Sequence, residues 1–190
     1  MKPGLGAALA VAWSGCAWAQ VDEVRLGFAG HDIAVIGSIP SLEEAVVLNG
    51  EVIFDKPDSW TWRFAPRPYV GGQLNLGGST SWGGAGLMWR QGLGERFYGD
   101  FGFGLVVHDG TLDIGGVRNN GSFRELFFRL DNEREYGSRV LFKEELVLGY
   151  RFNDQWAGEA FFEHVSHGGL LSDGPNDGSD SAGFRVARRF

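Results

Sequence analysis

The chain has 190 residues, 31 of them glycine, with 14% aromatic and 22% charged residues and a formal net charge of −7. An acidic chain without basic runs is a poor match to a polyanion, which sets nucleic-acid binding aside. The length suits one domain, and no apolar run of about 18 residues follows the N-terminal segment, which excludes a helical membrane span.

Residues 1–19 read as a secretion signal: Met1-Lys2 supplies a positive start, Leu5 to Val11 an apolar stretch, and Ala17-Trp18-Ala19 a small-x-small cleavage site before Gln20. Losing Lys2 with this segment takes the net charge from −7 to −8. The segment also holds the single cysteine, Cys16, so residues 20–190 carry no thiol for a disulfide, a thiolate metal site or cysteine catalysis. Trp13-Ser14-Gly15-Cys16 imitates a lipoprotein cleavage box, but Trp13 stands where such boxes carry a small aliphatic residue.

From residue 21 onward the apolar residues recur with period two, the signature of strands. In 46–54, Val46, Leu48, Val52 and Phe54 form an apolar row, with Asn49 and Glu51 on the other face. In 97–109, Phe97, Phe101, Phe103, Leu105 and Val107 alternate with polar or small residues. The pattern predicts about eight strands, near 21–30, 43–55, 62–76, 80–91, 96–109, 139–152, 155–166 and 179–190. An even number of such strands, greasy on one face and polar on the other, predicts an all-β fold, the eight-stranded antiparallel transmembrane β-barrel of a bacterial outer membrane.

Between strands, Pro57, Pro66 and Pro68 point to an interrupted strand start, and Asn153-Asp154 to a tight periplasmic turn. The 110–138 stretch reads as an extracellular loop with extended strand ends. Trp60, Trp62, Trp82, Trp89 and Trp156 read as a membrane-interface girdle. The chain ends on Phe190, in a row with Phe184, Val186 and Arg188, whose guanidinium can snorkel to the membrane edge.

The strand 155–166 carries the chemistry. Alternation sets Trp156, Gly158, Ala160, Phe162, His164 and Ser166 on one face, and Glu159 and Glu163 on the other. If the glutamates face a polar lumen, His164 and Ser166 face lipid, where polar groups cost free energy unless they pair. Side chains at i and i+2 on one strand face start roughly 7 Å apart at the backbone, near enough for an imidazole to reach a serine hydroxyl. That is the arrangement for general-base activation of a nucleophile. By the parity of Phe184, Val186 and Phe190, Asp180 also faces outward and is the candidate acid to orient His164. Residues 167–178 are glycine-rich, and Gly169 and Asn176 are candidate donors to an oxyanion. His31, His108 and His167 read as loop or lumen residues. Asp173, Asn176, Asp177 and Asp180 do not follow the Asp-x-Asp-x-Asp-Gly calcium loop, so no metal site is assigned.

His164-Val165-Ser166-His167-Gly168-Gly169-Leu170, Asn176-Asp177-Gly178-Ser179-Asp180 and the preceding 142–152 stretch resemble the outer-membrane lipid A 3-O-deacylase (PagL) family. The family pattern is His-x-Ser-Asn, small-Gly-Leu or Ile, then Asn-x-Gly-x-Glu. Here His167 replaces the Asn and Asp180 the Glu, and the connecting loop is slightly longer. The resemblance implies His164 as base, Ser166 as nucleophile, Asp180 as acid, and Gly169 and Asn176 near the oxyanion. It implies hydrolysis of the ester-linked 3-hydroxyacyl chain at position 3 of lipid A, with no cofactor, and lipopolysaccharide and other outer-membrane lipids as partners. A homodimer is compatible with it. The alternatives are a non-catalytic barrel for adhesion or envelope integrity, with His164 and Ser166 a mere interfacial polar pair, and an outer-membrane phospholipid esterase.

Overall fold

The computed structural model describes residues 20–33, 35, 42–115 and 122–190. The expected export signal at 1–19, with Cys16, lies outside the described residues. Eight antiparallel strands, each hydrogen-bonded to the next, close into a barrel. They are β1 (Val21–His31), β2 (Ala45–Phe54), β3 (Arg67–Asn75), β4 (Trp82–Gly92), β5 (Phe97–His108), β6 (Val140–Arg151), β7 (Trp156–Ser166) and β8 (Ser179–Arg189). Closure joins β1 to β8, with Phe28 opposite Phe184. Closing the sheet removes its edges, so every backbone group in the hydrocarbon layer has a partner.

The strand starts follow local chemistry. β3 begins at Arg67 rather than near residue 62, directly after Pro66, which lacks the N–H that a ladder needs, and Pro68 sits at its start. At one end the links 93–96 and 152–155 are short and 55–66 is longer, and at the other end the links 109–139 and 167–178 are long. Short turns mark the periplasmic end and long loops the outer one.

Alternation along each strand separates two environments. Outward rows such as Phe97, Phe101, Phe103, Leu105 and Val107 on β5 stay exposed. Inward rows are buried, and many are charged: Arg25, Glu51, Lys143, Glu145, Glu159, Glu163 and Arg185 are all 3% exposed or less. Most of these charges hydrogen-bond one another, and Glu163 has Lys143 Nζ at 3.5 Å. Lys143 Nζ lies 2.6 Å from Glu51 and 2.7 Å from Glu145, and Arg185 Nε 2.6 Å from Glu159. Arg25 reaches Glu23 at 2.6 Å and also bonds Asp100. Ionised groups survive in so dry a space only when paired this way, and removing one partner typically costs about 3–5 kcal/mol. The lumen is therefore a packed core. Its glycines make room for large neighbours: a side chain at Gly149 would start 2.1 Å from the Tyr98 ring.

Two further expectations change. Trp82 faces inward, 6% exposed, in a cluster with Val106, Tyr136, Leu141 and Val165, so it leaves the interfacial girdle. Trp60 and Trp62 stack at 5.5 Å in the β2–β3 link, and Arg188 packs over both Trp156 and Phe190 at the periplasmic rim. The 110–138 stretch, expected to be loop with extended strand ends, contains a helix, α1 (Phe123–Asn132). Ser122 caps it by accepting the Glu125 N–H at 3.2 Å.

The outer end of the barrel is capped by polar chain. Asp32, in the left-handed conformation (φ 60°), accepts the N–H groups of Leu42 and Glu43 at 2.8 Å and the guanidinium of Arg134 at 2.6 Å. Both charged side chains are fully buried. Glu43 accepts the backbone N–H groups of Thr80 and Arg134 and lies beside His31.

Candidate active site

His164 and Ser166 close β7 on its outward face, at the outer end. Their neighbours are fixed by register: Ser166 is opposite Phe142 and His164 opposite Glu144 on β6. On the other side His164 is directly opposite Asp180 on β8. Directly opposed residues on one face are the closest pairs a sheet offers. The His164 Nδ1 and Asp180 Oδ1 atoms are 2.7 Å apart. With Nδ1–H donating to the carboxylate, the Nε2 lone pair is left as a base.

Asp180 has the outward parity of Phe184 and Val186, yet it is 0% exposed. The reason is the chain leaving β1. Past Asp32 it folds down over the end of β8, where Ile33 N–H donates to the Asp180 carbonyl at 3.1 Å and Val35 N–H to Asp180 Oδ2 at 2.7 Å. One carboxylate oxygen is thus held by backbone while the other faces the histidine. From the lumen side, the flanking Ser179 and Ser181 hydroxyls contact His31 Nδ1 at 3.4 and 3.2 Å, which pins β8 at this level.

The 167–178 loop folds back on the pair. Gly178 (φ +60°) lies so close that a Cβ there would sit 3.1 Å from His164 Cε1 and 3.4 Å from Ser166 Cβ. Asn176 accepts the His167 N–H through its carboxamide oxygen at 2.9 Å, which leaves the amide's N–H groups as its donating end. The His167 ring, 1% exposed, braces the loop: Nε2 is 2.9 Å from the Pro175 carbonyl and Nδ1 accepts the Gly169 N–H at 3.1 Å. Gly169, expected at the oxyanion, is therefore turned toward His167. Positive φ at both Gly168 and Gly169 curls the backbone that way.

Glu144 was not singled out in the sequence, although parity was enough to find it: it stands in the outward row of Phe142, Leu146 and Leu148. His164 is consequently flanked by carboxylic side chains on both neighbouring strands. The three inward carboxylates Glu23, Asp100 and Glu159 also converge, within 4.8 Å of one another, but the cations among them are Arg25 and Arg90.

With this geometry in hand, the family model for lipid A 3-O-deacylase (PagL) matches residues 54–189, well over half of the chain. The chain belongs to the lipid A 3-O-deacylase (PagL) family. Membership carries with it the outer-membrane location and lipid A deacylation as the family activity. Solved structures agree on the fold. The crystal structure of the outer membrane enzyme PagL superposes with a TM-score of 0.60 at 14% identity, covering 88% of this chain and 99% of that one. Neisserial surface protein A gives 0.55 at 14% identity, covering 92% and 100%. The N-terminal β-barrel domain of Pseudomonas aeruginosa OprF gives 0.51 at 13% identity, covering 91% and 100%. No curated protein sequence matches. At these identities the structural likeness speaks for the barrel, and the family model speaks for the PagL assignment.

Proposed function

We propose that this chain hydrolyses the ester-linked 3-hydroxyacyl chain at position 3 of lipid A, through Ser166, His164 and Asp180, on the lipid-facing side of β7 and β8. The observation that carries the reading is the cross-strand His164–Asp180 pair, 2.7 Å between Nδ1 and Oδ1, two residues from a serine of the same outward face. A histidine oriented by a buried carboxylate beside a hydroxyl, at the outer end of a lipid-facing stripe, has little reason to exist for stability.

In this mechanism His164 Nε2 takes the Ser166 Oγ proton as Oγ bonds the ester carbonyl carbon. The Asn176 amide donates to the resulting oxyanion. Collapse expels the sugar oxygen, which receives the proton from Nε2, and leaves an acyl group on Oγ. Water, deprotonated by the same nitrogen, then releases the 3-hydroxy fatty acid and restores the serine. Asp180 holds the ring throughout and stabilises its cationic form. The site's depth suits the substrate, because the ester of a membrane lipid lies at the headgroup boundary and its acyl chains can remain in the bilayer.

Purified chain incubated with lipid A in detergent should release one 3-hydroxy fatty acid per lipid and leave amide-linked chains intact. Release from glycerophospholipid at a comparable rate would move the substrate to phospholipid, and no release from either would leave the barrel non-catalytic.

A further inference from the structure

α1 stands on the barrel as an amphipathic helix whose apolar side is largely exposed. Phe123, Leu126, Phe127 and Leu130 fall at i, i+3, i+4 and i+7, which makes one apolar stripe. None of the helix residues is buried; Phe123 is 77% and Phe127 49% exposed, and their rings touch each other at 4.6 Å. Both ends are nonetheless finished, by the Ser122 cap and by the Glu133 N–H donating to the Arg129 carbonyl. Arg129 reaches Glu133 at 3.3 Å along the polar side, where Arg124 is also exposed.

A stripe of this kind exposed to water would be a liability in any protein. Its location supplies the occupant. α1 lies in the link between β5 and β6 at the outer end, and the outward rows of those strands, Phe101, Phe103, Leu105 and Val107 on β5, are the protein's lipid-facing surface. The next strand is β7, with Ser166 opposite Phe142. We infer that α1 docks on the outer leaflet itself, lying in the acyl–headgroup boundary of a lipid A-containing leaflet beside the site. There its stripe continues the barrel's apolar surface into the interface, and the exposed Arg124 meets the lipid phosphates. At ten residues, about 15 Å, the helix can lie in the interface but not cross the membrane.

The same helix is tied to the site loop. Its C-terminal end runs into Glu135, whose N–H donates to Asp177 Oδ2 at 2.9 Å and whose carbonyl accepts the Asp177 N–H at 3.2 Å. Docking of α1 therefore seats the loop that carries Asn176 and Gly178 at the level of the lipid headgroups.

The test is spin labelling of the full barrel in vesicles that contain lipid A, with a nitroxide at Phe127→Cys and, separately, at Glu125→Cys. The label at 127 should be accessible to oxygen and protected from a water-soluble nickel chelate, and the label at 125 the reverse. Equal nickel access at both positions overturns the inference, as does a label at 127 shielded from both reagents, which would mean a protein contact. Equal insertion into vesicles of phospholipid alone overturns the commitment to a lipid A leaflet. These readouts need no activity, so they stand apart from the deacylase reading. A kinetic arm rests on that reading: Phe123→Ser with Phe127→Ser should raise KM for lipid A in vesicles about tenfold with kcat unchanged, and leave detergent-dispersed substrate unaffected. Equal loss on both substrate forms contradicts it.

Discussion

His164 and Asp180 are directly opposed residues of neighbouring strands, and their hydrogen bond, Nδ1 to Oδ1 at 2.7 Å, crosses the sheet on its outward face. A bond set by strand register cannot be lost to a rotamer change elsewhere, so its chemistry can be probed with small substitutions. Asp180→Asn keeps the shape and removes the charge that holds the Nδ1–H tautomer. The expected outcome is a loss of about 10³–10⁴-fold in kcat with an unchanged melting temperature, measured as 3-hydroxy fatty acid release. Asp180→Glu should retain more activity than Asn.

Gly178→Ala tests how closely the loop seats the pair. At φ +60° an alanine is strained, by about 1–2 kcal/mol, and its Cβ would press on His164 Cε1 from 3.1 Å. We expect a folded barrel with activity lowered about 100-fold, and a comparable melting curve confirms that the loss is local.

The cap should fail before the barrel. Asp32→Ala leaves the Arg134 guanidinium without its buried carboxylate, a change of about 3 kcal/mol or more. Hydrogen exchange should then speed up at the amides of Ile33, Leu42 and Glu43 while the strands stay protected. Activity should fall as well, because the segment that gives Asp180 its Val35 N–H is released.

Acid should open the same cap. Burial raises the Glu43 carboxyl, but the His31 ring, the Thr80 side chain and the Arg134 N–H outweigh that and hold it below its usual 4.5. A lowered folded-state pKa contributes stability that is present above the unfolded value and lost as pH falls through the folded one. Exchange at residues 42–44 should therefore rise as the pH drops below about 4.5, and Glu43→Gln should flatten that dependence.

Glu144 has a graded expectation. It faces His164 from β6, without the 2.7 Å contact that Asp180 makes. Glu144→Gln should lower kcat by less than tenfold, far less than Asp180→Asn, when the two are compared on one substrate preparation.

Parity made most of this molecule readable in advance. Phe101 and Phe103 outward, Glu159 and Glu163 inward, and His164 on the lipid side all follow from period two alone. Trp82 departs from the girdle because strand parity, not residue type, decides its side, and an inward tryptophan can serve a packed lumen. Asp180 was legible as outward, but not as buried, since its cover comes from Ile33 and Val35, some 145 residues away along the chain. The α1 helix had its signals, Ser122-x-x-Glu125 and the Phe123/Phe127/Leu130 spacing, beneath the glycine- and asparagine-rich run that precedes it. The residue type of Gly169 suggests an oxyanion donor, while its N–H direction depends on His167, a loop contact that no strand pattern encodes.

The most direct test of the central claim is mass spectrometry of lipid A from cells expressing the wild-type chain or Ser166→Ala, with both proteins shown to be folded in the outer membrane. The account predicts loss of one ester-linked 3-hydroxyacyl group with the wild type and intact lipid A with the variant. Unchanged lipid A with a folded wild-type barrel, or equal deacylation by Ser166→Ala, would contradict it.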